Sequence, residues 1–279
     1  MLLIVPADPL RPRRADPHFA PEAQAAREAG HRVAVVDHDA LAAGRDPGRA
    51  VAGVPADDDA VYRGWMLPAT GYAGFAEALR ARQVTLRTDP DQYRRAHELP
   101  GWYATAATLT PESRWTVGVD RADFDRARTG LGTGPAVLRD WTKSAKHHWH
   151  EACFVPELAD AEAAWRIATR LRELRDDDFT GGFVLRRFEP LSGVEVRTWW
   201  VAGRCVLTGP HPDTPGELPD APVDTGPLAP VLSALGLPFV TADLARHADG
   251  RWRLVEIGDG QVSDRPSTMA PQALVAALT

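Results

Sequence analysis

The stretch from Phe239 to Ser263 reads FVTADLARHADGRWRLVEIGDGQVS. Two alternating apolar runs flank Asp249-Gly250. Asp-Gly between such runs signals a β-hairpin, because both central residues of a type I′ turn need positive φ. A two-residue loop pairs Ala248 with Arg251, and stepping outward sets Asp243 directly opposite Glu256 on one sheet face. Like charges at directly opposed sites, with Cβ atoms roughly 5 Å apart, destabilise a sheet unless a cation lies between them. Mg²⁺ is the simplest candidate, since it is typically held by one or two carboxylates plus substrate phosphates. On the hairpin alone a second reading stays open, a solvated outer face carrying two unrelated acids. The next segment weighs against it: in Ile257-Gly258-Asp259-Gly260-Gln261 two glycines allow close backbone approach, and Asp259 brings a third carboxylate.

Working outward, the composition sets bounds. A chain of 279 residues, 44% hydrophobic and 25% charged, is that of an ordinary globular protein of roughly two domains. A formal net charge of −6 argues against a nucleic-acid partner held by bulk charge and leaves room only for a site-sized basic patch. Cys153 and Cys205 are the only cysteines and form no CxxC pair, so a reducing compartment is expected and a disulfide framework is not. Met1 to Pro6 has neither the basic nor the long apolar region of a signal peptide, and no run is long and apolar enough to span a bilayer. A cytoplasmic location with no membrane partner is the expectation.

Residues 1–115 read as a Rossmann-like domain. Leu2 to Val5 is a short apolar strand, a Pro- and Arg-rich loop follows, Pro21 to Gly30 is a helix stopped by glycine, and His31 to Asp37 is a second buried strand. A strand at Ala60 to Trp65, a helix at Tyr72 to Arg82 and a strand at Val84 to Arg87 continue the alternation, which favours a parallel sheet with covering helices. No GxGxxG or Walker-type loop follows the first strand, so an NAD enzyme is not expected. From Asp89 to Trp115, three prolines and four large aromatics suit a hinge region.

Residues 116–180 read as a small subdomain. The glycines Gly130, Gly132 and Gly134 lead into a strand from Pro135 to Arg139, which ends in the cations Arg139, Lys143 and Lys146. On a turn these three converge on one anion, whereas on a strand they form a solvated basic edge. Of His147, His148 and His150, only His147 and His150 share a helical face, too few for a transition-metal site. Leu158 to Arg175 is an amphipathic helix with Ala161, Trp165, Ile167, Ala168 and Leu171 as its apolar stripe.

Residues 181–279 read as a larger subdomain that carries the metal candidates. Phe183 to Phe188 is a strand followed by Glu189-Pro190 and a turn at Ser192-Gly193. Val194 to Val201 and Arg204 to Leu207 then form a hairpin about Ala202-Gly203, with Glu195, Arg197 and Trp199 on one face. A charged pair beside tryptophan suits a lined cleft better than open solvent. Thr208 to Ala229 is a Pro/Gly-rich loop, too long for a mere connector and therefore a lid or a disordered segment.

In this order, Pro135 to Arg139, Leu158 to Arg175, Phe183 to Glu189, Gly193 to Arg197, Asp243 and Glu256 resemble the ATP-grasp superfamily over essentially the whole chain. Tyr62-Arg63-Gly64-Trp65-Met66, the Lys143-Ser-x-Lys146-His147 run and Glu256 to Ser263 look like an uncharacterised branch of it. The resemblance implies an α/β (α+β) ATP-grasp fold, with an N-terminal Rossmann-like pre-grasp domain and two ATP-grasp subdomains that hold ATP between them. It also implies ATP and Mg²⁺ as cofactors. The expected activity joins a carboxylate, activated as an acyl phosphate, to an amine or other nucleophile, with release of ADP and phosphate. The substrates are then small-molecule or peptide carboxylates and amines. By the same resemblance Arg139 and Lys143 contact the phosphates, Arg197 faces the γ-phosphate, the backbone of Arg187, Phe188 and Glu189 reads adenine, and Glu195 binds ribose. Asp243 and Glu256 hold Mg²⁺, with Asp259 as a third ligand. Arg63 suits a substrate carboxylate held bidentately, Trp65 walls that pocket, and Ser263 to Arg265 is the next place to seek the acceptor. Three departures stand out: Arg139 replaces the usual lysine, Lys143 to Phe154 lacks the glycine-rich phosphate loop, and Gly258 replaces the usual asparagine. A non-catalytic nucleotide-binding protein and a small-molecule kinase are the alternative functions.

Overall fold

The computed structural model describes residues 1–220 and 222–279, apart from the side chains of Asp58 and Ser192. By its internal contacts the chain forms two compact units, one made of Met1–Ala96, Gly193–Leu244 and Glu256–Thr279, the other of His97–Ser192 and Ala245–Val255.

The first unit begins with β1 (Leu2–Asp8), β2 (Arg11–Ala15), α1 (Ala20–Glu28), β3 (Arg32–Val36), α2 (His38–Ala42), α3 (Pro47–Ala50), β4 (Asp57–Tyr62), α4 (Ala69–Arg80), β5 (Val84–Leu86) and α5 (Pro90–His97). Strand β1 lies between β3 and β4 and is parallel to both, Leu3 facing Val33 on one side and Val61 on the other, and β5 extends the sheet in parallel beyond β4. Successive side chains of a strand point to opposite faces. Thus Leu2, Ile4, Ala60 and Tyr62 pack with Leu41, Tyr72, Phe75 and Leu79, while Leu3, Val5 and Val61 pack with Phe19, Ala23, Leu274 and Leu278. Apolar residues at consecutive positions of β1 are what a strand covered on both faces requires. The Pro- and Arg-rich segment expected as a loop is instead β2, antiparallel to β1 with Ala7 opposite Ala15. Its turn is closed by Asp8, whose Oδ1 accepts the N–H of Leu10 at 2.8 Å.

The second unit holds α6 (Leu99–Ala106), β6 (Ser113–Trp115), α7 (Arg121–Leu131), β7 (Ala136–Asp140), β8 (Phe154–Val155), α8 (Ala161–Arg175) and β9 (Phe183–Arg187). Its four-stranded sheet has the order β6-β9-β7-β8 with antiparallel neighbours. Asp120 caps α7 by accepting from the N–H groups of Ala122 and Asp123, and Asp160 caps α8 by accepting from Ala163. Both helices bury one stripe against Leu138, Phe183 and Leu185. On α8 the buried stripe is Ala164, Ala168 and Leu171, with Trp165 and Ile167 at its margin.

The chain then forms β10 (Leu191–Val201), β11 (Arg204–Pro210), α9 (Ala229–Leu235), β12 (Phe239–His247), β13 (Trp252–Asp259) and α10 (Pro271–Ala277). These strands make a sheet of order β11-β10-β12-β13. Strand β10 starts at Leu191, so the turn expected at Ser192-Gly193 is replaced by one in which the Leu191 N–H donates to the Glu189 carbonyl. At Ala202 (φ 48°) and Gly203 (φ 75°) the sequence reading holds, with Val201 opposite Arg204 across a type I′ turn. At β12 and β13 it does not. The His247 N–H donates to the Arg251 carbonyl and the Gly250 N–H to the His247 carbonyl, so Ala248, Asp249 and Gly250 together make a three-residue turn. Gly250, at φ 89°, supplies the left-handed residue that such a turn needs. Ala248 therefore does not pair with Arg251, and the repulsion inferred from a two-residue loop loses its premise. Strand β11 reaches Pro210, well into the segment expected as a loop from Thr208, and Ala221 of that segment lies outside the described residues.

Candidate active site

In the first unit, β10 and β12 bring Arg197 and Asp243 together. Arg197 donates from Nε to Oδ1 and from Nη2 to Oδ2, both at 2.8 Å, a parallel two-bond pair. Asp243 is 4% exposed. Burial works to raise its pKa, but Arg197 and then His211 overcome that and hold it well below the usual carboxylate range. Arg197 in turn is held above its ordinary pKa against its own burial by Asp243, Glu256 and Asp264. Glu256 thus lies within range of the same guanidinium. His211, which the sequence reading missed, completes the cluster: its ring Nε2 is 3.5 Å from Asp243 and 3.9 Å from Glu195, and its backbone N–H donates to the Glu195 carbonyl. The only sequence hint was its position right after an apolar strand. Rather than two carboxylates repelling each other, the site is a buried Arg–Asp pair bordered by Glu256, His211 and the half-exposed Glu195.

The donor set bears on the metal. Among the described residues no group of three or more His, Cys, Asp or Glu side chains is arranged to hold an ion. Asp243 and Glu256 carry hard oxygen donors of the kind Mg²⁺ takes alongside waters and substrate oxygens, and both Asp243 oxygens are bonded to Arg197. Asp259 does not join them. It is 1% exposed and accepts the Gln261 N–H at 2.7 Å, while Gln261 Nε2 bonds the Tyr72 hydroxyl. Burial raises its pKa to about 7. Its side chain is therefore turned into the packing beside Tyr72, which corrects its reading as a third metal ligand.

Arg63 is also reassigned. The side chain is 1% exposed and donates to Glu22 from Nε at 2.7 Å and from Nη2 at 3.0 Å. Its Nη1 donates to the carbonyls of Gly260, Gln261 and Ser263. A guanidinium engaged this fully is a tie between α1, the end of β4 and the segment after β13, and not an anchor for a substrate carboxylate. Arg265 donates to the carbonyls of Pro266 and Met269 and lies 3.5 Å from Glu22, while the Ser263 hydroxyl donates to the Asp259 carbonyl and touches Thr241. Both are parts of the same scaffold. Trp65 is 38% exposed.

In the second unit, β7 ends on Asp140, whose buried carboxylate accepts the N–H groups of Thr142 at 2.7 Å and Lys143 at 2.6 Å. Its other oxygen accepts from Arg175 at 2.9 Å. This turn, legible in sequence as Asp-x-Thr, was missed although it sets where the exposed Lys143 emerges. Arg139 is 6% exposed and donates to the carbonyls of Asp140 and Thr142. Lys146 and His147 are exposed on a short 3-10 turn, and His148 pairs with Glu151. After β9, Arg253 grips the Glu189 carboxylate at 2.7 and 2.8 Å, which fixes the bend, and Phe188 is 37% exposed beside Phe154. The structure thus groups Arg139, Lys143, Arg187, Phe188 and Glu189 in one unit and Arg197, Glu195, Asp243 and Glu256 in the other.

Residues 128–278 match the profile of an ATP-grasp domain, the third family of the R-two-K clade. No curated protein matches the chain. Among solved structures, a RimK domain ATP-grasp protein from Sphaerobacter thermophilus superposes with a TM-score of 0.66 at 19% identity, covering 100% of this chain and 98% of its own. The D-cycloserine synthetase DcsG gives 0.62 at 19% identity, with 100% of both chains covered. The ATP-grasp ligase PsnB, complexed with a minimal precursor, Mg and ADP, gives 0.60 at 14% identity, over 99% of this chain and 96% of its own. At these identities the likeness is one of fold.

Proposed function

The chain belongs to the third family of the R-two-K clade of ATP-grasp domains, and from that premise we propose that it is an ATP-dependent, ADP-forming ligase that activates a carboxylate as an acyl phosphate and joins it to an amine. The observation that carries the reading is the buried Arg197–Asp243 pair with Glu256 beside it. Transferring a phosphoryl group demands positioning and neutralisation of spreading negative charge, and a permanent cation with two hard carboxylates supplies both. Mg²⁺, when held by Asp243 and Glu256, screens phosphate charge. Arg197, whose Nε and Nη2 pair with Asp243 and whose Nη1 bonds the Asp264 carbonyl, sets a permanent positive charge beside these carboxylates, and Arg197 first and then His211 keep Asp243 ionised. In the second unit, the Asp140 turn holds the Lys143 backbone so that its ammonium meets phosphate from a fixed origin, and the backbone at Phe188 and Glu189 reads the base. Arg139, spent in part on turn carbonyls, shapes that turn as well as adding charge. The DcsG and PsnB descriptions, a synthetase and a ligase bound to Mg and ADP, support this class of reaction.

The same pair admits a second reading, a non-catalytic nucleotide-binding protein, because Arg197 occupies both of the Asp243 oxygens that would hold Mg²⁺. ADP release distinguishes the two. Pools of amino acids and small carboxylates are incubated with ATP and Mg²⁺. The ligase reading expects ADP release that needs Mg²⁺ and disappears in Glu256→Gln. Nucleotide binding with no ADP release from any pool would favour the second reading.

A further inference from the structure

Trp65 stands three residues past the end of β4, at the carboxyl edge of the parallel sheet, where open α/β sheets place their ligands. Its exposed ring is walled by three others. Phe19 meets it edge-on at 4.9 Å between centroids, His38 edge-on at 5.4 Å, and His18 lies tilted at 6.1 Å. The four rings come from three separate segments: the connection from β2 to α1, the first turn of α2, and the loop after β4. Gly64 allows this, because a Cβ there would lie 2.1 Å from the Tyr62 hydroxyl.

The hydrogen bonds of the cage define one protonation state. Tyr62 has a single hydroxyl proton and makes two contacts, to the Trp65 carbonyl at 3.3 Å and to His38 Nδ1 at 2.9 Å. Both are hydrogen bonds only if Tyr62 donates to the carbonyl and His38 Nδ1–H donates to Tyr62, which leaves the lone pair on Nε2. Burial lowers the pKa of His38 although Asp39 and Asp37 pull the other way, so the ring is neutral near pH 7 and does not repel a cation. The border is anionic: Asp264 accepts from His18 Nε2 at 2.9 Å, and Asp16 accepts the His18 N–H. Of the guanidinium groups nearby, Arg63 is committed to Glu22, and Arg197, which bonds the Asp264 carbonyl, is committed to Asp243.

An aromatic face bordered by carboxylates and a neutral acceptor selects a cation with N–H bonds. We propose that the Trp65 cage is a primary-ammonium subsite, in which the Trp65 face and the Asp264 charge hold the cation and His38 Nε2 accepts one of its N–H bonds. The assignment rests on the ligase reading only in naming the bound amine as the nucleophile.

The probe is n-propylammonium, followed by saturation-transfer NMR without nucleotide, with propionate and n-propanol as its anionic and neutral counterparts. Saturable binding with a dissociation constant of about 1 mM is expected for the ammonium alone. Trp65→Ala should weaken it about tenfold and Trp65→Phe less. Asp264→Asn, altering a half-exposed carboxylate, should weaken it severalfold and serves if Trp65→Ala does not fold. Propionate binding as well as the ammonium, no saturable ammonium binding, or unchanged binding in these variants would overturn the subsite. Ammonium binding with no ADP release from any pool sinks the ligase reading and leaves the subsite. ADP release with an amine KM insensitive to Trp65→Ala does the reverse.

Discussion

Replacing Arg63 by alanine separates its two conceivable roles. The guanidinium is 1% exposed, bonds both oxygens of Glu22, satisfies the carbonyls of Gly260, Gln261 and Ser263, and lies 5.5 Å from the Trp199 ring centre. Arg63→Ala leaves Glu22, 5% exposed, with Arg265 at 3.5 Å, and removes the donor from three carbonyls. Breaking a buried ion pair by deleting one partner costs about 3–5 kcal/mol. At about 2–4 °C per kcal/mol for a chain of this size, the melting temperature should fall by roughly 6–20 °C. Urea denaturation and a thermal scan measure both. Glu22→Leu combined with Arg63→Met removes the stranded charge and should recover part of the loss, though the three carbonyls stay unpaired. A loss below about 1 kcal/mol would refute the internal-tie assignment, since effects that small are typical of exposed positions without fixed partners. It would return Arg63 to the list of substrate contacts.

Three further outcomes follow from the same geometry. Asp243→Asn should destabilise the ligand-free protein to chemical denaturation by a few kcal/mol, since it strands the buried Arg197; a loss below about 0.5 kcal/mol would mean that the Arg197–Asp243 pair is not what stabilises the site. Asp259 has a folded pKa of about 7, above its value in the unfolded chain, so its contribution is full below pH 4 and is lost as pH rises through 7. Asp259→Asn should therefore gain stability relative to wild type at pH 8 but not at pH 4, and urea midpoints at the two pH values test it; a pH-independent difference contradicts the assignment. Arg197→Lys keeps the charge and loses the fork, so ATP turnover should drop more than ADP affinity, and an equal fall in ADP and ATP affinity would place Arg197 elsewhere on the nucleotide.

Local pattern was enough for many of the elements, though not for β2, whose prolines and arginines read as a loop. Consecutive apolar residues in Leu2 to Val5 announced a strand covered on both sides, the apolar stripe of Leu158 to Arg175 announced a helix, and Ala202-Gly203 announced a tight turn, because each of these depends on local periodicity or backbone stereochemistry within a few residues. The order of motifs was sufficient to suggest the ATP-grasp family for the same reason that it is linear information. What a side chain meets across space is not linear. Arg63 and Glu22 are 41 positions apart, and Gln261 and Tyr72 are 189 apart, so no periodicity could tell that an apparent carboxylate anchor is an internal tie or that Asp259 turns into packing. The turn at Asp249-Gly250 shows the finer limit: the same dipeptide serves a two- or a three-residue loop, and the hydrogen bond from His247 to Arg251 decides between them. His211 beside Asp243 and the rings around Trp65 likewise come from separate strands and loops. The residue types that could do chemistry were readable from the sequence, but their partners, and hence their charges and roles, were set only when burial brought distant segments into contact.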